Sequence, residues 1–220
     1  MTTQRRTPDA SRRSQATRRA ILDAALELVG EVGYARLSIE GIAARAGAGK
    51  QTIYRWWPSK GAVLVDALLM LSEGRGEGAA ELPDTGDLEA DLKTVLRATV
   101  EELNDPRLSE PMRALTVEVL LDPDLAAVFA ERLDRPVREL KLRRLRAARD
   151  AGQLAPGVDL EVAVDMIWGP LHRRWLHREG PLTAGFADAV VEAALNGLRP
   201  RPHGGCPREG QQEEQRGEHG

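Results

Sequence analysis

Residues 37–60, reading LSIEGIAARAGAGKQTIYRWWPSK, constrain this chain more than any other stretch. Ser38 is a good helix N-cap, and Ile39, Ile42, Ala43 and Ala46 follow on one helical face, so a short helix is predicted from about Ser38 to Arg45. Gly47 ends it, because glycine readily takes the left-handed conformation that a sharp inter-helical turn demands. The link Ala46-Gly47-Ala48-Gly49 has the length found in a helix-turn-helix, and a second helix is expected from Lys50 to Trp57. Ile53 would face the preceding helix, with Lys50, Gln51 and Thr52 in the first turn and Tyr54, Arg55 and Trp56 one turn on. In such a pair the second helix lies in the DNA major groove with its leading residues at base edges, where donors and small side chains belong. Pro58 stops the helix for want of an N–H, and Ser59 caps the next, whose first residue, Lys60, can reach a phosphate.

The run 33–69, GYARLSIEGIAARAGAGKQTIYRWWPSKGAVLVDALL, resembles the DNA-binding half of the TetR family of bacterial transcription regulators. Two departures stand out: Gly49 where serine is common, which weakens the N-cap, and Trp56 where histidine or tyrosine is frequent. The resemblance implies base or groove contacts by Lys50, Gln51, Thr52, Tyr54 and Trp56, and phosphate contacts by Ser38, Arg55 and Lys60. Trp57 is expected in the core, and core packing competes evenly with a groove contact for Trp56. A second likeness, to the C-terminal ligand domains of actinobacterial-type members, covers 111–198 through DPDLAAVF, the Gly152 turn and IWGPLHRRWL. It implies an all-helical body. In that family the last two helices pair with those of a twin in a four-helix bundle. Carried over, this places Ile167, Leu171, Trp175, Phe186, Val190, Val191, Ala194 and Leu198 at a dimer interface.

Charge distribution agrees with a DNA-binding head. The first 70 residues hold eleven Lys and Arg against six Asp and Glu, a net +5, so the remainder carries −8 of the overall −3. A chain of 220 residues can bury a core without disulfides or metals. Its one cysteine, Cys206, lies in a Pro/Gly-rich tail and reads as incidental in a reducing, cytoplasmic setting. No apolar run approaches the ~18 residues of a membrane span and the polar start has no signal-peptide core, so no membrane partner is expected.

Along the chain, residues 1–14 read as a disordered basic arm, and 15–72 as the DNA-binding head with a linking helix from Lys60. Residues 73–199 read as a helical ligand-binding and dimerisation domain, and 200–220 as a disordered tail. Within the body, helices are predicted over about 87–104, 110–120 and 123–150, with Asp105-Pro106 breaking the first and Pro136 kinking the third. Two more are expected over about 159–178, kinked at Gly169-Pro170, and 183–198. The basic run ELKLRRLRAARD reads as a solvated helix face, with a second nucleic-acid surface as the lesser alternative.

These readings combine into an all-α regulator, expected to be a ligand-released homodimeric repressor of a palindromic operator. Its partners are double-stranded DNA, its own twin and an unidentified small-molecule effector. Met112, Met166, Trp168 and His172 could line the effector cavity and Arg173 or Arg174 could meet an anion, with helix-core packing the competing explanation for the Trp and Met residues. The rival classes are a nonspecific nucleoid-type protein and, more remotely, an enzyme built on His172, His177 and Glu179. The histidine spacing of five puts the pair about 140° apart, unlike the shared face of a helical zinc site. No cofactor or metal is called for.

Overall fold

The computed structural model describes residues 10–74 and 81–200, and every regular element among them is helical. The head comprises α1 (Ala10–Val32), a 3-10 turn (Tyr34–Arg36), α2 (Ile39–Ala46), α3 (Lys50–Trp56) and α4 (Lys60–Gly74). The expected basic arm is thus helical over its last five residues, while residues 1–9 lie outside the described part. The extension follows from the strong helix formers Ala10, Arg12, Arg13 and Ala16, and Thr17 Oγ1 donates back to the Arg13 carbonyl at 2.9 Å.

The body comprises α5 (Leu88–Asn104), α6 (Pro106–Val119), α7 (Pro123–Phe129), a π turn (Ala130–Asp134), α8 (Arg135–Asp150), α9 (Leu160–His177) and α10 (Ala184–Leu198). Asp87, Asp159 and Thr183 cap α5, α9 and α10 as the sequence predicts, each accepting backbone N–H groups of the first turn. Two expectations change. Asp105-Pro106 does break the first body helix, but it also opens the next: the Asp105 carboxylate accepts from the Arg107 N–H and Pro106 sits where its missing N–H costs nothing. The long helix expected over 123–150 is divided by the π turn. Pro136 has no N–H to return to the carbonyl of residue 132, and the chain widens there so that the Arg135 N–H bonds the Ala130 carbonyl, five residues back. Pro170, by contrast, lies inside a helix that runs unbroken from Leu160 to His177.

Apolar side chains gather into two cores. The first joins Ile21, Leu22, Ala25, Ile42, Ile53, Trp57, Leu64 and Leu68 of the head to Leu108 and Leu115 of α6 and Leu125 of α7. The second joins α5, α8, α9 and α10 around Leu96, Leu145, Ile167, Trp168, Leu171 and Val191. The expected domain limit, between residues 72 and 73, falls in the last turn of α4, while the first core continues past it to take in α6 and α7. The head therefore rests on part of the body as if on its own floor. Gly61 marks the closest approach, since a Cβ there would sit 2.5 Å from Leu125 Cδ1 and 2.8 Å from the Tyr34 hydroxyl.

The expected dimer face needs correction. Ile167, Leu171, Trp175, Val191, Ala194 and Leu198 are all buried inside the single chain, and Phe186 and Val190 are half-buried against its second core. The six buried side chains spend their apolar area within the chain, most of them on α5 and α8, and have little to offer a twin. Trp175 is further committed, donating its indole N–H to Ser109 Oγ at 2.6 Å beneath the Arg113 guanidinium.

Candidate nucleic-acid interface

The helix-turn-helix forms as the sequence predicts. Ser38 Oγ accepts from the Gly41 N–H at 3.1 Å, and α2 ends at Gly47 in the left-handed conformation (φ 64°), a position where any other residue is strained. Gly49 begins α3 without a side-chain cap. What fixes α3 is its buried side: Ile53 is fully buried and Trp57, the residue closing the helix, is buried beside it. Trp57 donates its indole N–H to Asp66 Oδ2 of α4 at 2.8 Å. A Glu27–Arg45–Glu31 cluster ties α2 to α1, and the Arg45 guanidinium holds the Glu31 carboxyl below its ordinary range.

With that side anchored, α3 turns Lys50, Gln51, Tyr54 and Arg55 outward, while Thr52 and Trp56 are half-buried. Tyr54 is 54% exposed, a large aromatic surface with nothing of its own chain to cover it. Lys50 Nζ lies 2.6 Å from Glu40 of α2, an exposed pair worth little in water, from which the ammonium can swing to a base or phosphate. Arg55 lies 5.3 Å over the Trp56 ring, whose own edge packs on Trp57. Trp56 is therefore shared between packing and surface, as the two competing readings left it.

Lys60 departs from expectation. Its ammonium donates to the Tyr34 and Leu37 carbonyls, both at 2.9 Å, and lies 4.4 Å over the Tyr34 ring. Two of its three donors are used inside the head, leaving one for a phosphate. Its first task is to clasp the 3-10 turn to the start of α4. Ser38 keeps its hydroxyl hydrogen free because the oxygen acts as acceptor in the cap.

Asp66 escapes sequence reading altogether, although a carboxylate in the middle of the apolar run AVLVDALLM was a signal that a buried partner waits. It is 5% exposed and also pairs with Arg18 of α1 at 2.7 Å and with Arg132 of the π turn.

The expected effector residues do not all share one place, although Trp168 and His172 lie one turn apart on α9 with Lys141 beside both. Met112 packs half-buried on the first core, while Trp168 is buried in the second under the Lys141 ammonium at 4.8 Å. Met166 and His172 are exposed on α9, and Arg173 turns outward to Glu179 at 2.9 Å. The best-formed hollows lie elsewhere, one of about 190 Å³ beside Leu82, Leu140 and Arg144 and one of about 180 Å³ beside Arg18, Asp66 and Arg132. The basic run of α8 is largely spent internally: Arg138 bonds Glu161 and Asp165, and Arg144 is buried on Asp91. Burial, the largest single effect, pushes the Asp91 carboxyl up, but the Arg144 guanidinium together with the Thr85 N–H and hydroxyl holds it below its ordinary value. Among the described residues no three His, Cys, Asp or Glu are placed to hold a metal, and no helix is long and apolar enough to cross a membrane.

Comparison with known proteins gives this geometry a context. The family pattern described as "Bacterial regulatory proteins, tetR family" matches residues 21–67, and "Tetracyclin repressor-like, C-terminal domain" matches 82–194. The uncharacterized HTH-type transcriptional regulator YdeS of Bacillus subtilis (strain 168) is 30% identical over 187 residues, 85% of this chain and 92% of its own. The DNA-binding transcriptional repressor TetR of Mycobacteroides abscessus is 30% identical over 190 residues, 83% and 94% of the two chains. The crystal structure of the TetR family transcription regulator SCO0332 superposes with a TM-score of 0.68 at 35% identity, covering 84% of this chain and 99% of that one. The likeness thus runs along nearly the whole length of these proteins, helix-turn-helix head and helical body together, and the chain belongs to the TetR family of DNA-binding transcription regulators.

Proposed function

We propose that the chain is the subunit of a cytoplasmic homodimeric repressor that holds a palindromic operator and lets go when a small-molecule effector enters its body. The observation that carries this reading is α3 itself: one side locked by Ile53 and Trp57, the other presenting Lys50, Gln51, Tyr54 and Arg55 to solvent. A single such helix makes too few base contacts to select a genomic site against the excess of nonspecific DNA, and a two-fold dimer doubles them.

The face best suited to a twin is the one the chain leaves uncovered. On α9 it holds Val162 and Met166, and on α10 the exposed small residues Ala189, Ala193 and Gly197. Small side chains at four-residue spacing let two helices approach at the short end of the ~8–10 Å range. The last two helices thus keep their assembly role, with the contact moved to the opposite side of each.

Selection of bound fragments from the source genome tests the reading. An inverted repeat with half-site centres about 34–36 Å apart or somewhat more is the expected result. Equal retention of scrambled and selected duplexes at matched salt would instead favour a nonspecific nucleoid-type protein.

A further inference from the structure

Partners from three separate segments converge on the buried Asp66 carboxylate, two by hydrogen bonds and the third as an ion pair. Arg18 Nη2 of α1 lies 2.7 Å and Trp57 Nε1 2.8 Å from Oδ2, while Arg132 of the π turn reaches Oδ1. Arg18 also stands 5.7 Å over the Trp57 ring, so the indole is gripped both by its edge and by its face. A carboxylate removed from water is tolerated only while it is paired, which ties its position to that of its donors.

The three partners differ in what they report. Arg18 and Trp57 belong to the head. Trp57 closes α3, with its backbone N–H on the Ile53 carbonyl at 2.9 Å, so a shift of the indole is a shift of the recognition helix. Arg132 belongs to the body and to its one widened turn. A π turn carries a spare residue that a small axial movement can absorb or release, which rotates the side chains on it. Room for such a rotation exists, because the 180 Å³ hollow opens beside the pair between Arg18, Leu69, Met70 and Arg132. The Arg132 side chain is 43% exposed, so water can solvate it once it lets go.

We infer that Asp66 is a positioning residue for DNA recognition: through Trp57 it sets the seat of α3, and Arg132 is the grip by which the body adjusts that seat. This rests on the regulator reading above and adds the path by which the body's state reaches the DNA. Movement of the π turn draws Arg132 off Oδ1, the carboxylate re-aims toward its two remaining donors, and Trp57 carries α3 with it.

The test uses the full chain and a fragment selected from the genome, with the variants Arg132→Met, Trp57→Phe and the double variant. Arg132 and Trp57 are joined in this path only through Asp66. Arg132→Met is expected to weaken binding about 5- to 20-fold, in the range of ordinary coupling between sites. Its urea midpoint should fall only slightly, because Arg18 and Trp57 still pair the carboxylate, and its slope of log affinity against log salt should be unchanged, since no phosphate contact is lost. Trp57→Phe should weaken binding comparably, and adding Arg132→Met to it should cost no more than about a further twofold. The inference is overturned if Arg132→Met binds within about twofold of the wild type, if a lowered urea midpoint accounts for its loss, or if the salt slope becomes shallower, the mark of a direct phosphate contact. Fully additive losses in the double variant would overturn it as well. Failure of the wild type to prefer selected over scrambled DNA would overturn the regulator reading itself, and would be seen before any variant is made.

Discussion

Gly61 offers the sharpest probe of how the head sits on the body. It occupies the second position of α4, where the helix meets Leu125 of α7 and the hydroxyl of Tyr34. In Gly61→Ala the new Cβ would lie 2.5 and 3.2 Å from the two Leu125 methyls and 2.8 Å from the Tyr34 oxygen. Leu125 is 3% exposed and Tyr34 is buried, so neither can simply swing into solvent. Overpacking of this kind costs about 1–3 kcal/mol, and two contacts inside 3 Å place the site in the upper half of that range. Against it stands the helix-propensity advantage of alanine over glycine, at most about 1 kcal/mol and smaller in a first turn. The net expectation is a loss of about 1–2 kcal/mol, read as a lowered urea midpoint with unchanged slope. Attribution comes from a double-mutant cycle with Leu125→Ala, itself expected to cost about 2–5 kcal/mol as a buried Leu truncation. With the methyls gone, Gly61→Ala should become nearly neutral, a coupling of about 1 kcal/mol or more. Additivity within about 0.3–0.5 kcal/mol, or a Gly61→Ala variant more stable than the wild type, would refute the close packing of α4 on α7.

Other consequences separate the roles assigned above. Tyr54→Ala should lower operator affinity by about 1–3 kcal/mol at an unchanged urea midpoint, whereas Lys60→Ala should lower the midpoint too, because it leaves two carbonyls without their charged donor. Equal midpoints for the two variants would return Lys60 to a pure phosphate contact. Burial lowers the Lys141 pKa to about 8, so between that pH and its unfolded value of 10.5 the unfolded chain still holds a proton that the folded chain has released. Stability therefore gains with rising pH across that window, and Lys141→Met should remove the gain in urea titrations at a series of pH values. Tyr34 acts in the opposite sense above pH 10, since burial first, then Glu118 and Asp122, raise its pKa to about 12; the comparison with Lys141→Met is best made below that point. Ala193→Arg on α10 should shift sedimentation toward the single subunit and weaken operator binding together, and a variant that stays dimeric would move the interface elsewhere.

Much of the head was legible because each of its devices is local. A cap, a left-handed glycine, a proline stop and a 3.6-residue apolar period are all written within a turn or two of where they act, and Ser38, Gly47, Pro58 and Ser59 do what their neighbours predict. Misreadings arose where the answer depended on a distant segment. Apolar period shows that Ile167, Leu171 and Val191 are covered but not by whom, and the cover proved to be α5 and α8 rather than a twin. The residues left over for a partner, Ala189, Ala193 and Gly197, carry almost no apolar signal. Lys60 was misjudged for the same reason, since two backbone carbonyls more than twenty residues away decide where its charge goes. Asp105-Pro106 breaks one helix in the sequence pattern, yet like Asp122-Pro123 it also opens the next by a side-chain cap followed by proline at the first helical position.

Besides the apolar packing of α6 through Leu108 and Leu115, two contacts that bind the body to α4 come from one short stretch, α7 and the π turn that follows it. Leu125 presses on Gly61 at the beginning of the helix and Arg132 pairs with Asp66 five residues, about 7–8 Å of helix rise, further on. Five residues also turn the helix by about 140°, so the two contacts grip it on different sides and a sideways push on α7 cannot relax both at once. A tilt that relieves Leu125 loads the ion pair, and a withdrawal of Arg132 lets α4 roll on the Leu125 contact. Magnitudes decide how far this can go. Reversal of occupancy from 99:1 to 1:99 needs a differential affinity of about 5.5 kcal/mol, whereas one tight apolar contact and one partly exposed ion pair together supply about 1–4. These two contacts can therefore transmit the effector's preference between two arrangements but are too weak to be its sole source. Substitutions at Gly61 or Arg132 should accordingly change how strongly DNA and effector oppose each other while leaving the effector's own affinity for the DNA-free protein within about twofold, a pattern that equilibrium titrations with and without operator would reveal.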